Sequence, residues 1–299
     1  MLLVATLVAL AVLLAWPVPR VLARATSLSR APRAALVLWQ STAVAAVLAA
    51  LLAAPAALPL LVAGEQVRLS EQWIALVVAA ALSGVVAVRL VLSGDRVGRN
   101  LRAARRRHRD LVDLLGVPGE GADRDMRVLE HTTPTAYCVP GVRRRVVLTQ
   151  GTLDRLGADE LSAVLAHERA HLGARHDLVM EFFTVVHEAM PGFLRCDDAL
   201  REVQLLIEVL ADRAAVRKAG AVSTGRAIVA MAGGPKPAGA MAMADSTRVA
   251  TARIGLLDAE RIAGLPIPLV AAAMYAVSAA LVVTPLALYL AAIAELTLV

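Results

Sequence analysis

Four apolar stretches constrain this chain more than any other feature of its sequence. Each is long enough to cross a bilayer as a helix, which takes about 20 residues. They run from Leu2 to about Val18, within Ala34–Ala63 (about 36–60), over about Trp73–Leu92, and over about Ile267–Ile293. Hydrophobic residues make up 58% of the 299, against about 45–50% in an ordinary soluble domain. Part of that surplus must face lipid. Pro55, Pro59 and Pro285 are expected to kink these helices or mark their ends. The first stretch reads as a retained helix rather than a signal peptide: signal peptides open on a positive segment, and here no Lys or Arg precedes Arg20.

Charge placement orients the spans. The first loop carries Arg20, Arg24, Arg30 and Arg33 and no acid, while the second is short, with Glu65, Arg68 and Glu71. After the third span come Arg89, Arg96, Arg99, Arg102, Arg105, Arg106, Arg107 and Arg109. Arginine-rich flanks stay on the cytoplasmic side. The first loop and the segment 93–264 are therefore expected in the cytoplasm, and both termini outside. The net charge of +6 does not call for nucleic acid. The run Arg102–Arg109 lacks the interleaved aromatics that stack bases, and it suits a juxtamembrane helix held by anionic lipid. Cys138 and Cys196 form no C-x-x-C pair, so they read as free thiols.

The segment 93–264 has the size of one domain. It should begin as a helix that continues from the third span and stops at Gly116–Val117–Pro118–Gly119. Arg127–Glu130 and Arg145–Thr149 read as short strands around a turn at Pro140–Gly141. From Ala158 onward helix is expected, interrupted by Pro191–Gly192 and by Gly233–Gly239.

Within that segment, Ala158–Leu172 contains His167-Glu168-Arg169-Ala170-His171, an H-E-x-x-H, with Leu161, Val164, Leu165 and Leu172 at helical spacing and Asp159 and Glu160 suited to a first turn. Four residues along a helix return nearly to the same face, about 6 Å further on. Two imidazoles so placed can share one tetrahedral zinc, and Glu168 is placed as a general base for an attacking water. A catalytic zinc needs a third protein ligand. Asp177, ten residues after His167, is one candidate, but that arrangement wants a glycine turn where Ala174 stands. Glu208 is the better one, in Glu208-Val-Leu-Ala-Asp212 on a second helix, with Asp212 on the same face to hydrogen-bond a ligand imidazole. The expected fold is mainly α: four transmembrane helices (1–92 holding three, 265–299 the fourth and a short outer tail) and a cytoplasmic α+β zinc peptidase domain of gluzincin type at 93–264.

The run Val146-Val-Leu-Thr149, Leu161 to Leu172 with its H-E-x-x-H, Arg175-His-Asp177 and Glu208-Val-Leu-Ala-Asp212 resembles the beta-lactam sensor-transducer (antirepressor) metallopeptidase family. A more distant likeness is to the HtpX and CAAX prenyl protease family. The resemblance implies one zinc on His167, His171 and Glu208, catalysis by Glu168, support from Asp212, and cleavage of a cytoplasmic protein, in that family a winged-helix, DNA-binding repressor. Members that sense beta-lactams carry an extracellular penicillin-binding domain after the fourth helix. Here the sequence contains no S-x-x-K, so acylation by a beta-lactam is not expected. Two rival functions stand beside repressor cleavage: a membrane quality-control or processing protease, and a non-catalytic receptor that keeps the peptidase fold. Among the other histidines, His187 is a candidate for stabilising an oxyanion, while His108, His131 and His176 read as surface or locally bonded. Pro134–Pro140 is a candidate border of a substrate cleft, where an extended peptide would add by strand pairing.

Overall fold

The computed structural model describes residues 1–58, 69–119, 125–141, 144–232, 246–257, 261–262 and 265–297. Pro59, Glu65, Arg68 and the Gly233–Gly239 stretch lie outside them. The described chain is mostly helical, with a small four-stranded sheet. It divides into two compact units: Met1–Asp95 with Thr184–Glu202 and Ile262–Val299, and Arg96–Phe183 with Val203–Arg261.

Among the described residues, four helices are long and apolar enough to cross a membrane: Leu2–Arg24, Pro32–Ala57, Trp73–Leu115 and Ile267–Ala294; the third is divided between the two units at Asp95. The first is built from α1 (Leu2–Ala15) and α2 (Pro17–Arg24), which meet at Trp16–Pro17, where proline fits a first helical turn. Helix α3 (Pro32–Ala57) is the centre of the packing, against α1 and against the last helix, Ile267–Thr297. From Ala45 onward its buried residues are all alanine: Ala45, Ala46, Ala49, Ala50, Ala53, Ala56 and Ala57. Small side chains let helix backbones approach closely where lipid offers no hydrophobic drive between helices. Helix α4 (Leu69–Leu115) presents Ile74, Val77, Val85, Val88 and Val91 outward in its apolar part. It also touches the α3 backbone through one hydroxyl. Ser83 Oγ donates to Ala50 O at 2.6 Å and accepts from Ala54 N at 3.1 Å, one residue before Pro55. A side chain set across an i to i+4 pair beside a proline satisfies backbone groups that water cannot reach there.

Helix α4 ends at Leu115, directly before the Gly116–Gly119 breaker, as its sequence suggests. The sheet follows, in spatial order β1 (Val117–Pro118), β2 (Met126–Leu129), β4 (Arg145–Thr149), β3 (Ala136–Val139). The two sequence-expected strands are present but pair in parallel, Met126 with Val146 through Leu129 with Thr149. The Pro140–Gly141 turn instead joins β3 to β4, which are antiparallel. Strand β3 was not legible: it is four residues between Pro134 and Pro140, and all four are buried, so no alternation marks it. Its start is pinned by threonines. Thr135 N–H donates to Thr149 Oγ1 (2.9 Å) and Thr152 Oγ1 (2.8 Å), and Thr149 Oγ1 donates to Thr133 O at 2.8 Å.

Helices α5 (Gln150–Arg155), α6 (Ala158–Gly173), α7 (His176–Ala189), α8 (Asp197–Ala219), α9 (Ala221–Met231) and α10 (Ser246–Gly255) complete the described helices before the last. In the second unit, α6 packs between the sheet and α9, burying Ala163 and Val164 with Leu148, Ala215 and Ala227. The same buried face runs on, one and two turns later, to His167 and His171.

Candidate metal centre

Helix α6 begins with the expected acids. Glu160 Oε2 accepts the Gly157 N–H at 3.1 Å, tying down one N-terminal donor. His167 and His171 fall one turn apart on the same face as Ala163 and Val164, so they continue the buried stripe of α6 toward its C-terminal end. Their Nε2 atoms lie 3.0 Å from each other.

Helix α8 brings the carboxylate. Glu208 Oε2 is 3.5 Å from His167 Nε2, and Glu208 Oε1 is 3.7 Å from His171 Nε2. A tetrahedral ion with ligands at about 2.0–2.1 Å separates its donor atoms by roughly 3.3–3.4 Å. The three observed separations bracket that value. Glu208 is 3% exposed, and its buried Oε2, though 3.2 Å from Arg253 Nη1, accepts no well-aligned hydrogen bond, which leaves it lone-pair capacity that a cation could take up. The group His167–His171–Glu208 therefore fits a zinc ion by distance and by donor chemistry.

Asp177 does not join the group. Its carboxylate faces Arg105 at 3.6 Å, beside Glu181, which accepts from Arg105 at 3.3 Å. The turn after α6 also differs from the one that a ligand at Asp177 requires: Ala174 is helical, and the left-handed residue is Arg175, with φ 53°.

Asp212, one turn beyond Glu208, accepts from His167 Nδ1 at 2.9 Å. One residue at the site went unrecognised in the sequence. Arg253, on α10, donates from Nε to Asp212 Oδ2 at 2.7 Å and from Nη2 to Asp212 Oδ1 at 2.6 Å, and its Nη1 stands 3.2 Å from Glu208 Oε2. Two carboxylates buried one turn apart repel each other and are costly to desolvate; the planar guanidinium fork answers both. No spacing rule connects it to them, because 41 residues separate Arg253 from Asp212.

Electrostatics follow from these contacts. Burial disfavours ionised Glu208, but His167 and Arg253 outweigh it and hold its carboxyl well below the usual range. Burial likewise works against charge on His167, yet Asp212 and Glu208 raise it to about 9. Glu168 is half-buried, next in sequence to His167 and beside Cys138 of β3, whose thiol is pushed up by burial and by that carboxylate. Cys138 and Cys196 are both free.

The remaining histidines divide. His131 Nδ1 accepts from Thr133 N locally, at 3.1 Å, and His108 Nε2 lies 3.0 Å from the Tyr137 hydroxyl. His187 belongs to the first unit and pairs there with Asp197 at 2.8 Å. His176 is not a surface residue: it is 4% exposed, and its Nδ1 lies 3.0 Å from His171 Nδ1. Burial, helped by the neighbouring His171, pushes it down to about 4.

A helical frame around a small sheet, with paired histidines and a glutamate converging from two helices, defines a site of the class that can hold a metal ion. Residues 100–196 match the model of peptidase family M48, which supports a metallopeptidase. That match takes in the H-E-x-x-H and ends before Glu208, so it does not bear on the third member of the metal group. No curated protein and no solved structure matches the chain.

Proposed function

We propose that this chain is a multi-pass membrane zinc endopeptidase that hydrolyses a cytoplasmic protein. The observation that carries the reading is the convergence of His167 Nε2, His171 Nε2 and the Glu208 carboxylate, with Glu168 adjoining the first ligand. Zinc bound there would lower the pKa of a water toward about 7 and polarise a peptide carbonyl. Glu168 takes the proton from the attacking water and delivers it to the departing amine. Asp212 holds His167 with its Nδ1 proton outward and Nε2 inward, and Arg253 holds Asp212. Strand β3 lies at the sheet edge and packs on α6, so an extended substrate pairing with it would run past Glu168.

Arginine-rich flanks support a cytoplasmic catalytic unit with both termini outside. The order of spans and the Glu208–Asp212 motif favour the antirepressor reading, in which the substrate is a DNA-binding repressor. The test is Glu168→Gln in the full-length protein. Zinc content should be unchanged, and peptide-bond cleavage should fall by about 10²–10⁴-fold. Comparing the new protein N-termini in cells that express the two forms identifies the substrate. Wild-type cleavage by a folded, zinc-loaded Glu168→Gln protein would exclude this mechanism. Identical N-termini in the two cell types would favour a receptor that cleaves nothing.

A further inference from the structure

The zinc-facing geometry dictates where the protons of the two ligand imidazoles must be. Both Nε2 atoms point at the Glu208 carboxylate and at each other. An imidazole that gives its Nε2 lone pair to a metal carries its proton on Nδ1. For His167, that N–H meets the Asp212 carboxylate at 2.9 Å. For His171 the arrangement is different. The Nδ1 atom of His171 instead faces Nδ1 of His176, 3.0 Å away, with the two rings edge-on at 83°.

From this we propose that His176 is a positioning residue for the metal centre: its unprotonated Nδ1 accepts the Nδ1–H of His171 and so fixes Nε2 of His171 toward the ion. The inference rests on the metal-site reading above. Two nitrogens at hydrogen-bond distance need one donor and one acceptor, and metal binding through Nε2 makes His171 the donor. His176 must then hold its own proton on Nε2. His176 and His171 are 4% and 5% exposed, so bulk water does not compete for this contact. Each ligand imidazole is thus oriented by a different acceptor, an anion for His167 and a neutral ring for His171.

The backbone is bent to make this contact. His176 is the first residue of α7, and Arg175 before it has φ 53°, the one non-glycine residue among those described with positive φ. A left-handed conformation is unfavourable for a residue with a Cβ. It breaks the chain direction after α6 and returns His176 onto the helix it has just left. Strain kept at one residue beside a candidate site is where a positional requirement is expected.

The experiment uses the full-length protein in detergent and measures zinc affinity by competition with a chelating dye, together with the visible spectrum of the cobalt-substituted form. Three proteins are compared: wild type, His176→Phe, which keeps a ring but has no acceptor, and His176→Asn, whose Oδ1 can stand where Nδ1 stood. Outer hydrogen-bond partners of metal ligands typically contribute 10–100-fold in affinity. The phenylalanine variant should lose that much and show an altered cobalt spectrum; the asparagine variant should recover most of it. Equal zinc affinity in wild type and His176→Phe would overturn the proposal. So would equal losses in both variants, which would mean that packing alone matters. If His176→Phe does not fold, His176→Ala takes its place against His176→Asn, with the same reading. A wild-type protein that binds no zinc would instead sink the metal-site reading beneath it.

Discussion

At the residue scale, the site is a problem in neutralising buried charge. Glu208 and Asp212 are 3% and 1% exposed, one turn apart on α8. Arg253 is their only permanent cation among the contacts described. Removing one partner of a buried ion pair leaves the other uncompensated and typically costs about 3–5 kcal/mol. Arg253→Met should therefore destabilise chelator-treated protein by that order, seen as a lowered unfolding temperature of the second unit. Zinc should recover only part of the loss, because Glu208 gains a cation and Asp212 does not. Full recovery would show that Arg253 serves Glu208 alone. Much of this scale was legible in advance. His167, Glu168 and His171 announce themselves by spacing, and Glu208 with Asp212 by helical periodicity after that motif. Arg253 and His176 did not, for different reasons. Arg253 reaches the site from a distant helix that no local pattern links to it. His176 sits five residues after His171, off the i+4 face, and only the left-handed Arg175 brings it back.

At the element scale, the question is what holds edge strand β3 over α6. The threonine network at Thr135, Thr149 and Thr152 does so only because the chain at Gly151 comes close to the 131–133 turn. Gly151 N–H donates to His131 O at 2.9 Å, and a Cβ at Gly151 would fall 1.9 Å from the Thr132 carbonyl oxygen. Backbone, unlike a flexible side chain, cannot step aside cheaply. Gly151→Ala should cost about 1–3 kcal/mol as an overpacking substitution, and by shifting residues 131–135 it should raise KM for a protein substrate more than it lowers zinc affinity. An unchanged KM would separate β3 from substrate binding. The strands themselves show how sequence reading fails. Arg145–Thr149 was recognised with its observed bounds, and Arg127–Glu130 was displaced by one residue. Four uniformly buried residues between two prolines gave β3 no alternation to read, and without β3 the other two strands were assigned to one turn instead of a parallel pair.

For the whole molecule, the four apolar helices were legible because a bilayer demands about 20 apolar residues regardless of how they pack, whereas the grouping of chain segments into units depends on contacts far apart in sequence. The site's charges also make the intact protein respond to pH in two opposite ways. In metal-free protein, His167 titrates at about 9 when folded, against about 6.5 when unfolded. A raised folded value contributes stability that is complete below about 6.5 and is lost as pH rises through about 9. Glu208 is shifted downward, so its contribution is complete above its unfolded value of about 4.3 and is lost only as pH falls through its lower folded value. Together they give metal-free protein its fullest stabilisation between about pH 4.3 and 6.5. Zinc needs His167 without its proton, so metal affinity must climb as pH rises toward about 9, including the interval in which metal-free stability declines. Hydrogen exchange of α6 and α8 amides in the full-length protein, corrected for intrinsic rates, separates the two effects. Chelator-treated protein should lose protection in these helices between pH 6.5 and 9, and zinc-loaded protein should not. If chelated protein holds its protection across that interval, the Asp212–His167–Glu208 chain is not the charged network that these distances describe, and the steepening of zinc affinity with pH should be absent as well.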